Sequence, residues 1–92
     1  MVYRIYTENK NKEEVAKIVS FFFEGFTMYE GVGYWKGKEE PSLIIEILVE
    51  ADSNTNVYVA KAHVNEVARA IKQRNNQQAV LCQEIANTNW LI

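Results

Sequence analysis

The hydrophobic pattern of the chain switches repeatedly between a period of two and a period near 3.6, and each switch marks a new element. Val2 to Thr7 sets Tyr3 and Ile5 on one side and Arg4 and Tyr6 on the other, the alternation and β-prone content of a strand. Glu8-Asn9-Lys10-Asn11 breaks it. Asn11 and Glu14 have the spacing of a capping box, and Val15, Ile18, Val19 and Phe22 follow at helical intervals, predicting an amphipathic helix that ends near Gly25. From Phe26 to Trp35 the pattern is again that of a strand, with Phe26, Met28, Val32 and Tyr34 facing one way and Tyr29 and Trp35 the other. Gly31 and Gly33 within it predict a bulge or a close backbone approach. Lys36 to Pro41 is a polar turn, and Leu43 to Val49 is an apolar run interrupted by Glu46, so these two strands form a hairpin.

Asp52 to Asn56 offers successive N-cap residues to a second helix, whose apolar stripe is Val57, Ala60, Val64, Val67, Ala68 and Ile71 and whose stop is Asn75-Asn76. Ala79 to Ile85 supplies a fourth strand. The order strand, helix, strand, strand, helix, strand over residues 1–92 predicts a single α+β domain. Its expected form is a ferredoxin-like βαββαβ two-layer sandwich, an antiparallel sheet with helices on one face. If Ile45, Ile47, Val49 and Leu81 face the helices, alternation sends Ile44, Glu46, Leu48, Val80 and Cys82 to the uncovered face. Half of that face is apolar. With the tail residue Trp90, it predicts a homo-oligomer, dimer or trimer, closed through the open sheet face at Ile44, Leu48, Val80, Cys82 and Trp90.

Composition narrows the class. At 92 residues the chain builds one modest core, and its 24% of charged residues sum to a net −2, a field that repels extended nucleic acid. No apolar leader or membrane-length run is present, and the lone Cys82 excludes an internal disulfide or a cysteine zinc site, so a cytoplasmic protein without metal or cofactor is expected. Catalytic signals are weak. His63 has no orienting partner by spacing beyond Glu66, and Glu13-Glu14 and Glu39-Glu40 sit at a helix start and a turn. Gly31-Val32-Gly33 lacks the third glycine and the strand-to-helix context of a dinucleotide fingerprint.

One cluster stands out: Tyr29, Tyr34, Trp35, Lys36 and Lys38, with glycines among them. Aromatic faces stack on bases and lysines neutralise phosphates, so these residues are chemically fit for a small nucleotide-type ligand, with Arg4, Tyr6 and Trp90 as an alternative site at a subunit junction. Half-buried strand aromatics and solvated turn lysines explain the same residues equally simply.

The runs Gly25 to Gly37, Glu40-Pro41-Ser42-Leu43-Ile44-Ile45 and Asn76-Gln77-Gln78-Ala79-Val80-Leu81 resemble those of small ferredoxin-like proteins related in shape to the PII and CutA group and to a bacterial family with relatives in phage genomes. The resemblance implies a sheet-packed oligomer with small-molecule sites between subunits. It is also compatible with a phage-encoded sponge for a host signal, acting in the host cytoplasm. PII proteins carry a long loop between the second and third strands; here Lys36 to Pro41 is short. The dimeric α/β-barrel monooxygenases are a second ferredoxin-like resemblance. They supply an enzyme alternative in which Asn9, Trp35 and His63 stand for a polar triad. The leading expectation is a non-enzymatic ligand-binding oligomer, with that enzyme and a protein-interaction module as alternatives.

Overall fold

The computed structural model describes residues 1–49 and 57–85. Its elements are β1 (Val2–Glu8), α1 (Lys12–Phe22), β2 (Thr27–Trp35), β3 (Lys38–Leu48), α2 (Val57–Arg74) and β4 (Leu81–Ile85). They form an α+β architecture in which one four-stranded antiparallel sheet, in the order β2-β3-β1-β4, carries both helices. Asp52 to Asn56 and Trp90 lie outside the described residues.

The core is built where three apolar periodicities meet. Tyr3 and Ile5 from β1 and Leu43, Ile45 and Ile47 from β3 form one face of the two central strands. Val15 and Val19 of α1 and Ala60, Val64, Val67 and Ile71 of α2 close over them. All are buried, so both helices cover the same sheet face, and strand alternation leaves Arg4, Tyr6, Ile44, Glu46 and Leu48 on the other.

The start of α1 departs from the capping-box expectation. Asn11 is left-handed, with φ 53°, and makes no side-chain cap; its amide reaches instead across to Asn75. The stop of α2 is as the sequence indicates, with Asn76 left-handed at φ 53° just beyond Arg74.

The hairpin is longer and its turn tighter than the polar run Lys36 to Pro41 implies. Trp35 pairs with Lys38, so the loop is only Lys36-Gly37, both at positive φ (51° and 77°), as a type I′ turn requires. Pro41 belongs to β3: it pairs with Val32, and its carbonyl accepts the Asn9 N–H at 3.3 Å. No bulge interrupts β2, whose register with β3 is continuous from Thr27 to Trp35. Gly31 serves a close approach, because a Cβ there would lie 2.9 Å from Ile44 Cδ1.

The face expected for β4 is reversed. Tyr6 pairs with Leu81 and Ile5 with Cys82, which puts Leu81 on the uncovered face and Cys82 on the helix side, where burial pushes its thiol pKa up. Val80, just before the strand, packs against the core. Val80 and Cys82 are therefore not part of the open face, and Leu81 is. The expected consequence is a sharp contrast in unfolding experiments: Ile45→Ala costs about 2–5 kcal/mol as a core truncation, whereas Leu81→Ser stays within about 0.5–1 kcal/mol of the parent in urea titration.

Candidate functional site

Unequal strand lengths create the site. β1 ends at Glu8, opposite Ser42, but β2 and β3 stay paired from Val32 and Pro41 out to Trp35 and Lys38, so the hairpin overhangs the sheet as an arm. A groove of about 580 Å³ lies between this arm and the α2–β4 connection, with Tyr6, Thr7 and Glu8 at its base. The arm contributes Gly33, Tyr34, Trp35 and Glu40 to one wall, and Gln77, Gln78, Ala79 and Leu81 form the other.

Amide hydrogen bonds fix the second wall. Asn75 is buried; its Nδ2 donates to the Lys10 carbonyl at 3.2 Å and to Gln77 Oε1 at 3.3 Å, and its Oδ1 accepts from Asn11 Nδ2 at 2.8 Å. The buried Thr7 hydroxyl donates to Gln77 Oε1 at 2.6 Å, and Gln77 Nε2 donates to the Ala79 carbonyl at 3.3 Å. This network ties the end of β1, the β1–α1 loop and the α2–β4 loop together. The first wall is more open: Trp35 is 66% exposed and Tyr34 72%.

The charge of the lining is specific. Glu8 and Glu40 face one cation, Lys10, whose Nζ is held by Glu8 Oε2 at 2.9 Å. Lys36 stands at the turn with its Nζ 5.9 Å from the Trp35 ring centre, and neither Lys36 nor Lys38 lines the groove.

The structure thus divides the residues singled out from the sequence. Tyr6, Tyr34 and Trp35 all line the groove, Trp35 on the same sheet face as Tyr6 and Tyr34 on the helix side of the arm. Tyr29 lies six positions from Trp35 along a continuous strand, roughly 20 Å at strand rise, and belongs to a different cluster. There its hydroxyl donates to Glu46 Oε1 at 2.5 Å, and Arg4 Nε lies 3.4 Å from the same oxygen. That hydrogen bond, followed by desolvation, raises the Tyr29 pKa.

Asn9, Trp35 and His63 are not brought together. A hydrogen bond from Asn9 is the largest cause of the lowered Glu30 pKa, placing Asn9 at the entry to α1. His63 packs against Phe22 and Phe23 at the exit, ring centres 5.2 and 6.0 Å apart, and α1 separates these ends by about 16 Å at helical rise. Glu66 pairs with Arg69 at 2.6 Å, not with His63. Thr7, Asn75 and Gln77 carry no periodic signal of their own, although the amide run Asn75 to Gln78 marks where the latter two lie. Among the described residues no group of three or more His, Cys, Asp or Glu is placed to hold a metal ion, and no helix is long and apolar enough to cross a membrane.

Neither a protein-family model nor a curated protein matches the chain. Solved structures do share its fold. A phage SAM lyase in complex with S-methyl-5′-thioadenosine superposes with a TM-score of 0.59 at 14% sequence identity, over 88% of this chain and 76% of that chain. A phage SAM lyase in its apo state gives 0.60 at 14% identity, over 88% and 75%. The de novo designed protein Foldit4 gives 0.50 at 13% identity, over 95% and 94%. At such identities the likeness is one of fold, and a designed protein shares it, so function has to be argued from the side chains.

Asn75→Ala removes the hub of the amide wall and leaves buried partners unpaired. The expected cost is about 1–3 kcal/mol, with faster hydrogen exchange at Gln77 to Ala79 while the β2–β3 amides keep their protection.

Proposed function

We propose that this chain is a homo-oligomeric, cytoplasmic binding protein for a small nucleoside-type ligand held in the groove between the hairpin arm and the α2–β4 loop. The observation that carries this reading is a groove of about 580 Å³ with one hydrogen-bonded wall, where Trp35 and Tyr6 share the uncovered sheet face and Tyr34 lines the groove from the helix side of the arm. That volume is of the order that small-molecule sites occupy, and exposed aromatic rings offer stacking worth about 1–3 kcal/mol per base. The strand order supports a ferredoxin-like fold, and one fold neighbour is a SAM lyase in complex with S-methyl-5′-thioadenosine, a nucleoside of suitable size.

The charge of the lining refines the ligand class. Two carboxylates against one engaged lysine disfavour a phosphorylated ligand, so an uncharged or cationic nucleoside fits better than a nucleotide. Lys36 and Lys38 then act as solvated residues at the tip of the arm. Leu48, 52% exposed and outside the groove, supports association of a second copy through the uncovered face; Ile44, at 8%, is already largely covered within one chain.

Calorimetric titration with S-methyl-5′-thioadenosine, adenosine and AMP tests the reading. The two nucleosides are expected to bind at least about tenfold more tightly than AMP, and Trp35→Ala to weaken them about 10- to 100-fold, the equivalent of one stacked base. Chromatography of the released ligand is expected to return it unchanged; a cleaved product would establish catalysis instead. Binding that survives in a Tyr34→Ala, Trp35→Ala variant would place the site elsewhere, and the absence of heat with every nucleoside would leave a protein-interaction role. In light scattering, Leu48→Glu is expected to convert the oligomer to monomer, since an uncompensated carboxylate at an interface costs several kcal/mol, on the order of the interface's own margin. A monomeric parent would refute the assembly.

A further inference from the structure

A second surface, which shares Gln78 and Ala79 with the groove proposed for the nucleoside, has the features of a strand-docking edge. β4 pairs with β1 alone, so the outward backbone groups of Leu81 to Ile85 meet no strand among the described residues. Beside that edge a shallow groove of about 290 Å³ runs along α2, with small side chains at Ala68 and Ala79 and two cations, Arg69 and Lys72, on its rim. No carboxylate lines it. Arg69 shares one N–H group with Glu66, and Lys72 has no ion pair among the described residues. α2 carries four cations, Lys61, Arg69, Lys72 and Arg74, against the single carboxylate Glu66, in a chain of net charge −2.

We infer that β4 and the Arg69–Lys72 rim form a docking site for an extended, acidic segment of a partner protein, added as a fifth strand. Register fixes the pattern of that segment. Residues of an added strand on the helix side flank Arg69 and Lys72 and carry carboxylates; those on the other side lie beside Leu81 and are apolar. A second copy of the chain is a poor occupant. Antiparallel pairing of two β4 strands about a two-fold axis places the Arg69–Lys72 rims near each other, and the one β4 carboxylate, Glu84, is already held by Lys61 at 3.7 Å. The outer edge of β2 differs, since its exposed Glu30 is bridged to Lys12 at 3.4 Å.

Labelled octapeptides of alternating Val and Glu, and of alternating Val and Lys, test the site against the intact 92-residue chain. The Val-Glu peptide is expected to shift the Leu81–Ile85 amides in heteronuclear NMR and slow their exchange. Its affinity is expected to drop at least tenfold in an Arg69→Glu, Lys72→Glu variant and to fall with salt. Lys72→Gln, which leaves the helix surface polar, serves as the second variant and should show an intermediate, several-fold loss. Equal binding of both peptides, no change at the β4 amides, or protection of those amides that depends on protein concentration alone would overturn the inference. Displacement of the peptide by a single-stranded oligonucleotide that shifts only α2 resonances would assign the rim to phosphate and would overturn it as well.

Discussion

The pairing of Ile5 with Ile45 at the centre of the sheet is the constraint from which the remaining geometry follows. Both side chains are fully buried under the helices, so a slip of one residue would turn either Tyr3 and Ile5 or Ile45 and Ile47 outward and bring Arg4 or Glu46 into the core. With that register locked, the shared span of β1 and β3 stops at Glu8 and Ser42. Since β3 begins at Lys38, the excess strand can only project beyond the sheet. The groove is thus a product of strand arithmetic, and its aromatic residues are exposed because the arm has left the layer that would cover them.

The two halves of the uncovered face are chemically distinct. Towards the chain's first residue, Arg4, Tyr29 and Glu46 form a compact polar cluster on the outer face, with Leu48 beside it. Towards the arm, the face carries Tyr6, Trp35 and Leu81, with carboxylates at Glu8 and Glu40. A cluster whose charges satisfy one another suits a role in packing, whereas rings with open faces suit capture of a planar ligand.

Much of the fold was legible because the long elements have unambiguous periods: Val15 and Val19, and Ala60, Val64, Val67 and Ile71, recur at helical spacing and are the residues that become buried. The face of β4 was not legible. Ala79-Val80-Leu81-Cys82 is apolar at both parities, so alternation cannot choose between them, and the choice is made by pairing with Tyr6 and Ile5, some seventy residues away in sequence. Lys38 to Pro41 read as turn by composition but are held as strand by their partners in β2, a tertiary override of propensity. Within the site, the aromatic residues announced themselves by type. Thr7, Asn75 and Gln77 did not, because a hydrogen-bonded wall depends on loops meeting in space and leaves no repeat in the chain.

Pro41 has a role that its pairing partner does not reveal. Its carbonyl points toward the β1 side, where it meets the Asn9 N–H, and in an extended strand the nitrogen of the same residue points that way too. The ring therefore costs no hydrogen bond to β2, yet it strips a donor from the one flank of the arm that looks into the groove. A stray β-segment arriving there finds an incomplete ladder, while a compact planar molecule, which needs side-chain surface and not a ladder, meets no such obstacle. The β1-side flank of the arm is in this way a poorer template for an added strand than a flank of unbroken N–H donors would be.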